Sequence, residues 1–171
     1  MDVFEAIKTR RSIRKYKSDS IPDEKLKMIL EAARLAPSAA NRQPWRFVVV
    51  CDAERKKALA KASNNQTFLA DAAAIVTAIS DPDISKRWYA KDPMIAVEHM
   101  ALTATSLGYG TCWIGAFNEE EVKHLLNIPK GMRVIALLPI GIPDETPQPR
   151  PRREISEIFF EEEYGKPLDS R

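Results

Sequence analysis

The chain has 171 residues, 44% of them hydrophobic and 29% charged, with a net charge of +2, which fits one domain, 1–171, able to bury its own core. No apolar run reaches the ~18 residues of a membrane span, and Met1-Asp2-Val3-Phe4-Glu5 lacks the basic-then-apolar order of a secretory leader. Two cysteines, Cys51 and Cys112, make no disulfide framework, and His99 and His124 stand too far apart for a zinc pattern, so a cytoplasmic protein with no metal and no membrane partner is expected.

Residues 2–9 read as a short helix with Phe4 and Ile7 inward and basic residues at its C-terminal end, where the helix dipole suits them. Ser20-Ile21-Pro22-Asp23 signals the next helix start. Leu26, Ile29, Leu30 and Ala33 then form one apolar stripe that Pro37 ends. Trp45–Cys51 has buried-strand composition, and Asp52 suits the cap of a helix to about Ala62. Ala73–Ser80 is a second strand and Asp81–Lys91 a polar loop. Asp92-Pro93 reads as an N-cap followed by proline at the first helical position. The helix it opens is apolar nearly all round, from Met94 to Leu107, so it should be central and buried, with Gly108 as its C-terminal cap. Thr111–Ala116 is a third strand, Asn118 with Glu121 resembles a capping box for a helix to Leu126, and Arg133–Ile140 is a fourth strand. Prolines 143, 147, 149 and 151 mark an extended arm over 143–171, whose acidic tail carries Ile155, Ile158, Phe159, Phe160 and Tyr164 as apolar anchors. The pattern predicts an α+β fold: a central mixed sheet flanked by helices, with one helix buried between the second and third strands. An apolar-anchored arm leaving the body suits a homodimer.

Charge is segregated. Lys8, Arg10, Arg11, Arg14, Lys15 and Lys17 place six positives in ten residues, and Arg150, Arg152 and Arg153 add three in four. The rest of the chain has 17 basic against 24 acidic residues, which favours a local anion site over the broad basic face of a nucleic-acid binder, so no nucleic-acid partner is expected. In an extended segment Arg10, Ser12 and Arg14 point the same way, offering forked guanidinium donors and a hydroxyl that match phosphate oxygens. Read alone, each basic run is equally a solvated face.

Ala36-Pro37-Ser38-Ala39-Ala40-Asn41-Arg42-Gln43-Pro44-Trp45 brackets polar side chains between prolines, the composition of a preorganised loop, although it is also a plain helix–strand connection. In Gly108-Tyr109-Gly110-Thr111-Cys112-Trp113-Ile114-Gly115, Gly115 leaves a backbone N–H open to a flat ligand, Cys112 reads as a buried structural thiol, and Trp113 reads as core. There is no phosphate-binding loop of the G-x-x-x-x-G-K-[ST] type and no G-x-S-x-G, and Gly108-Tyr109-Gly110 has Trp113 where the dinucleotide fingerprint requires glycine.

Together and in this order, Arg10–Tyr16, Pro37–Trp45, Gly108–Gly115 and Arg150–Arg153 resemble the nitroreductase family of FMN-dependent oxidoreductases, over nearly the whole chain. The resemblance implies a homodimer with an exchanged C-terminal arm and two interfacial FMN sites. It implies that Arg10, Arg11, Ser12, Arg14, Arg152 and one or both of Arg150 and Arg153 hold the flavin phosphate. Pro37, Ser38, Ala39 and Asn41 would reach the same flavin from the other subunit. Ile114 and Gly115 would present backbone near the isoalloxazine, and Asn65 or Gln66 would touch the ring system. The flavin would carry the chemistry, so no catalytic side chain is expected. NAD(P)H would be a transient reductant in a ping-pong cycle, and a nitroaromatic, quinone or similar small molecule the electron acceptor. The same scaffold also serves reductive dehalogenation and flavin cleavage, and a non-catalytic FMN carrier is a further alternative. The chain is shorter than family members with a helical insertion over the flavin, leaving Asp81–Lys91, with Trp88 and Tyr89, as the one segment able to act as a lid.

Overall fold

A computed structural model describes residues 1–168; the end of the expected arm, 169–171, lies outside the described residues. Helix α1 (Val3–Thr9) is followed by α2 (Asp23–Arg34), β1 (Trp45–Val50), α3 (Ala53–Ala62), β2 (Ala74–Ser80), α4 (Asp92–Ser106), β3 (Gly110–Thr111), α5 (Glu119–Leu126) and β4 (Arg133–Gly141). The sheet order is β1-β2-β4-β3, and each neighbouring pair is antiparallel. The expected mixed character is confined to the edge, where Ser12 bridges Thr111 in parallel.

β2 is buried along its whole length, as a run of Ile, Val and Ala predicts for a central strand covered on both faces. Period-two alternation sends Val76 and Ala78 toward Ile29 and Ala33 of α2 and Ala96, Val97, Met100 and Ala101 of α4. Ile75 and Ile79 face the other way, toward Leu59 and Ala62 of α3 and Val122 and Leu126 of α5. The sheet therefore lies between two helical layers, and β4 repeats the split, with Leu138 and Ile140 on the α4 side and Val134 and Leu137 on the α5 side.

The third strand is shorter than its sequence suggests. Ile114 pairs with Leu137 in the register that carries Gly110 onto Gly141 and Thr111 onto Ile140, so Cys112 falls opposite Pro139. Proline has no N–H to donate, and the ladder breaks there.

Local chemistry departs from expectation in four places. Phe4 and Ile7 of α1 do not point inward; they are 68% and 52% exposed, and Ala6 is the residue that packs. α4 is not buried all round, since Met94 and Ile95 remain 49% and 39% exposed. Asp92 does not cap α4: it is the first helical residue, buried, and its carboxylate accepts the Ala39 N–H at 3.2 Å. The Asn118–Glu121 box is half made. Asn118 Oδ1 accepts the Glu121 N–H at 3.1 Å, but the Asn118 N–H donates to the Ala62 carbonyl rather than to Glu121. By contrast, Asp52 caps α3 through the Arg55 N–H, and Gly108 follows α4 at φ +86°, where a left-handed residue is needed.

The start of α5 is locked to β4 by Glu119, whose carboxylate accepts from Arg133 Nε and Nη2 and from the Val134 N–H at 2.9–3.0 Å. These bonds, led by Arg133 and assisted by Val134 and Lys123, hold the Glu119 carboxyl down at about 2 against partial desolvation. A depressed carboxyl contributes stability that is complete above its unfolded value and disappears as pH falls through the folded one. The stability gap between the wild type and Glu119→Gln should therefore be about 2 kcal/mol at neutral pH. It should close between about pH 4.5 and 2, as measured by urea unfolding across that range.

Candidate cofactor site at the β3 edge

The first basic island runs along the free side of β3. The Ile13 N–H donates to the Thr111 carbonyl at 2.9 Å, and the Lys17 N–H to that of Ile142 at 2.9 Å. Gly110 allows this approach, because a Cβ there would stand 2.6 Å from Ile13 Cγ1. Tyr16 anchors the segment from below, buried, with its hydroxyl donating to the Ile13 carbonyl at 2.8 Å; burial pushes its phenol well above the usual range.

With Ile13 and Tyr16 turned inward, the polar members of the island gather around Cys112. Burial pushes this thiol up, while Arg14, Ser12 and Arg10 pull it the other way. A raised, 2%-exposed thiol is not a nucleophile at neutral pH, which agrees with the structural reading of Cys112. Arg10 Nε lies 3.8 Å from Glu98 Oε1, and the other Glu98 oxygen accepts the Trp113 indole N–H at 2.9 Å. Glu98 thus ties α4 to both the island and the segment after β3. Sequence reasoning missed it, although the sequence carries a signal: Glu98 and Asp92 are the two acids of the α4 sequence, and both hold site segments. Glu145, also missed, accepts the Arg14 N–H.

Arg11 belongs elsewhere. Its guanidinium donates to the Lys8 and Arg10 carbonyls at 2.7 and 2.8 Å, closing the end of α1. Beyond Cys112, Ile114 spends both backbone groups on Leu137 at 2.9 and 3.0 Å, which fixes the backbone that leads into Gly115. Gly115 is exposed, its N–H has no partner among the described residues, and a Cβ there would meet nothing within 4 Å. Of the two candidate amides, Gln66 reaches this place, donating to the Ala116 carbonyl at 3.2 Å, whereas Asn65 serves as a left-handed turn residue at φ 57°.

The Pro37–Asn41 loop lies apart from these groups. It leads into β1, the opposite edge strand, with β2 and β4 between it and β3. Ala40, Asn41 and Gln43 are all left-handed, at φ 50°, 53° and 48°, a conformation that costs roughly 1–2 kcal/mol per non-glycine residue. The loop is held in it by the Ser38 hydroxyl, which accepts the Gln43 N–H at 2.9 Å, by Asn41 Oδ1, which accepts from Gln43 Nε2 at 3.1 Å, and by Asp92. Such strain is retained where the surroundings over-determine it, as at binding loops.

The second basic island is also detached. The arm leaves the body beside the first island, where the Asp144 N–H donates to the Lys15 carbonyl at 2.9 Å and Lys15 Nζ pairs with the Asp144 carboxylate at 3.5 Å. Arg150, Arg152 and Arg153 are all exposed, and Arg152 donates to the carbonyls of Arg150 and Pro151, both at 3.4 Å. One chain thus brings Arg10, Ser12, Arg14, Gly115 and Gln66 to one edge. It leaves the strained loop at the other edge and the late arginines on the arm.

This fold and motif set has well-defined likenesses. A family model described as the nitroreductase family matches residues 7–81 and 61–142. A protein of Archaeoglobus fulgidus named as an NADH dehydrogenase/NAD(P)H nitroreductase is 38% identical over 151 residues, covering 84% of this chain and 87% of its own. A crystal structure of a nitroreductase family protein from Clostridium novyi NT superposes with a TM-score of 0.81 at 35% identity, over 98% of this chain and 97% of the other. An FMN-dependent nitroreductase from Clostridium difficile R20291 gives a TM-score of 0.79 at 31% identity, over 91% and 94% of the two chains.

Proposed function

The chain belongs to the nitroreductase family, and from that premise we propose that it acts as a homodimeric, FMN-dependent NAD(P)H oxidoreductase that reduces nitroaromatics, quinones or similar small acceptors. The observation that carries this reading is the β3 edge. Arg10, Ser12 and Arg14 there surround Cys112, three residues before Gly115, whose exposed backbone faces open space. That donor set suits FMN, which has a phosphate dianion at one end and, once reduced, negative charge on its ring. Arg10, Ser12 and Arg14 hold the phosphate, Gly115 and Gln66 border the ring, and bound FMN supplies the hydride acceptor and donor. No side chain needs to act as acid or base, which fits the absence of a nucleophile or paired carboxylates in the motif set.

The separation of the remaining groups supports a twofold dimer. Pro37, Ser38, Ala39 and Asn41 sit on the wrong edge of the sheet to meet Arg10 of the same chain, and a second copy places them there. The described part of the arm, 143–168, lies across the partner and delivers Arg150, Arg152 and Arg153. Its side chains Ile155, Phe159 and Tyr164 are 67%, 55% and 95% exposed on the single chain, as are Val3 and Phe4 of α1 at 73% and 68%. Apolar exposure on this scale marks an interface. Body and arm together form one FMN-binding unit. NAD(P)H and the acceptor take turns at one open place over the ring, a ping-pong cycle, and among the described residues Asp81–Lys91 is the one short segment placed to act as a lid. Among the described residues no helix is long and apolar enough to cross a membrane, and two free thiols suit the cytoplasm.

The purified protein should be yellow, release FMN on denaturation, and bleach when NADH or NADPH is added without oxygen. Initial rates with a quinone or nitroaromatic should then give parallel double-reciprocal lines. A flavin band that neither coenzyme bleaches would indicate a carrier rather than an enzyme.

A further inference from the structure

Beside the strained loop a further concave site opens. A cleft of about 400 Å³ is lined by Arg42, Asp83, Ile84, Ser85, Lys86, Arg87 and Trp88. Three of these are cations and one is an acid. Among the described residues Arg42, Lys86 and Arg87 form no ion pair, and Arg42 Nη1 donates to the Ala39 carbonyl at 3.2 Å, which leaves Lys86 and Arg87 as the principal free cations. The one acid, Asp83, is outnumbered three to one by the cations of the lining, and its backbone N–H donates to Asp81 Oδ1 at 2.9 Å. Lys91 adds a neighbouring positive charge, its ammonium 4.7 Å from the centre of the Trp88 ring.

The second observation is Ser85. It is 4% exposed, yet its hydroxyl has no hydrogen-bond partner, although its carbonyl accepts the Trp88 and Tyr89 N–H groups at 3.1 and 2.8 Å. A buried hydroxyl without a partner carries a desolvation penalty that a bound acceptor removes. A ligand able to accept from a hydroxyl and two or three cations together is a phosphate monoester, with three oxygens and about two negative charges. Trp88 is 41% exposed, and a base attached to the phosphate would stack on the indole face that Lys91 does not cover.

We propose that this cleft is a phosphate-monoester subsite of the oxidoreductase, occupied by the 2′-phosphate of NADPH or by the 5′-phosphate of a second FMN arriving as acceptor. The proposal rests on the function given above for its setting, because Arg42 directly follows the loop assigned to the flavin. A nicotinamide or second isoalloxazine over the ring leaves its phosphate end free to reach an adjacent cleft. The residues involved are not those that hold the resident FMN phosphate.

The test uses the holoprotein, Arg87→Ala and Ser85→Ala. Calorimetric titration with adenosine 2′,5′-bisphosphate, against adenosine as control, reads the cleft without turnover. The bisphosphate should bind the wild type, and binding should weaken roughly ten- to a hundredfold in Arg87→Ala, one lost charge-assisted bond, and several-fold in Ser85→Ala. In steady state, a rise in KM for NADPH with KM for NADH and bound-flavin content unchanged identifies the coenzyme phosphate. A rise in KM for FMN as acceptor, with both coenzymes unchanged, identifies the second source. Equal binding of adenosine and its bisphosphate, or identical KM values in wild type and both variants, overturns the subsite. A colourless protein that still binds the bisphosphate in an Arg87-dependent way would reject the oxidoreductase reading and keep the cleft.

Discussion

Replacing Arg10 and Arg152 together by alanine is expected to raise the dissociation constant for FMN by about 10²–10⁴-fold, since each charge-assisted hydrogen bond contributes ~1.5–3 kcal/mol. The fold should survive. Arg152 is exposed on the arm, and the partner of Arg10 is a half-exposed carboxylate at 3.8 Å, a weak surface pair whose loss costs little. Fluorescence titration of the apoprotein with FMN measures the effect, and circular dichroism checks the fold. Flavin content equal to that of the wild type would refute the phosphate assignment. Arg11→Ala is the internal control: its guanidinium is spent on the end of α1, so it should weaken FMN far less than Arg10→Ala.

The second large effect concerns assembly. Ile155→Asp with Phe159→Asp should convert the dimer to monomer at micromolar concentration and release the flavin in the same step. Each apolar side chain fully buried at an interface contributes ~1.5–3 kcal/mol, and a charge in its place adds a desolvation cost. Both positions are largely exposed on the isolated chain, so the subunit fold should persist. Sedimentation velocity at 450 nm reads association and flavin together. A dimer that dissociates yet keeps full FMN affinity would show that one chain suffices, and would remove the role given to the partner's strained loop.

The two effects separate two kinds of information in this chain. Local chemistry was legible wherever neighbours in sequence decide the outcome. Asp52 caps α3 because a short carboxylate reaches an N–H three residues on, and the apolar run Ile75–Ile79 is a central strand because it has no polar face to show to water. The Arg10-Ser12-Arg14 spacing was legible for the same reason: an extended backbone alternates its side chains. Reading stopped where a distant residue decides. Asp92 has the sequence of an N-cap but becomes the anchor of Ala39, 53 residues away. Phe4 and Ile7 have the spacing of a packed face, but the neighbouring elements supply no second layer for them. The third strand ends early because Pro139, on another strand, cannot donate to Cys112.

The amino-acid order by itself determined the elements, the two basic islands and the ordered motifs that mark the family, since these depend on composition and short-range spacing. Tertiary structure alone decided which groups share a place. It brought Arg10, Ser12, Arg14 and Gly115 to one sheet edge, recruited Glu98 and Gln66 to them, turned Arg11 away, and left the strained loop on the far edge. The physical reason is that pairing order across a sheet and contact between remote helices depend on how buried surfaces match, a property of the whole packed chain that no window of sequence contains.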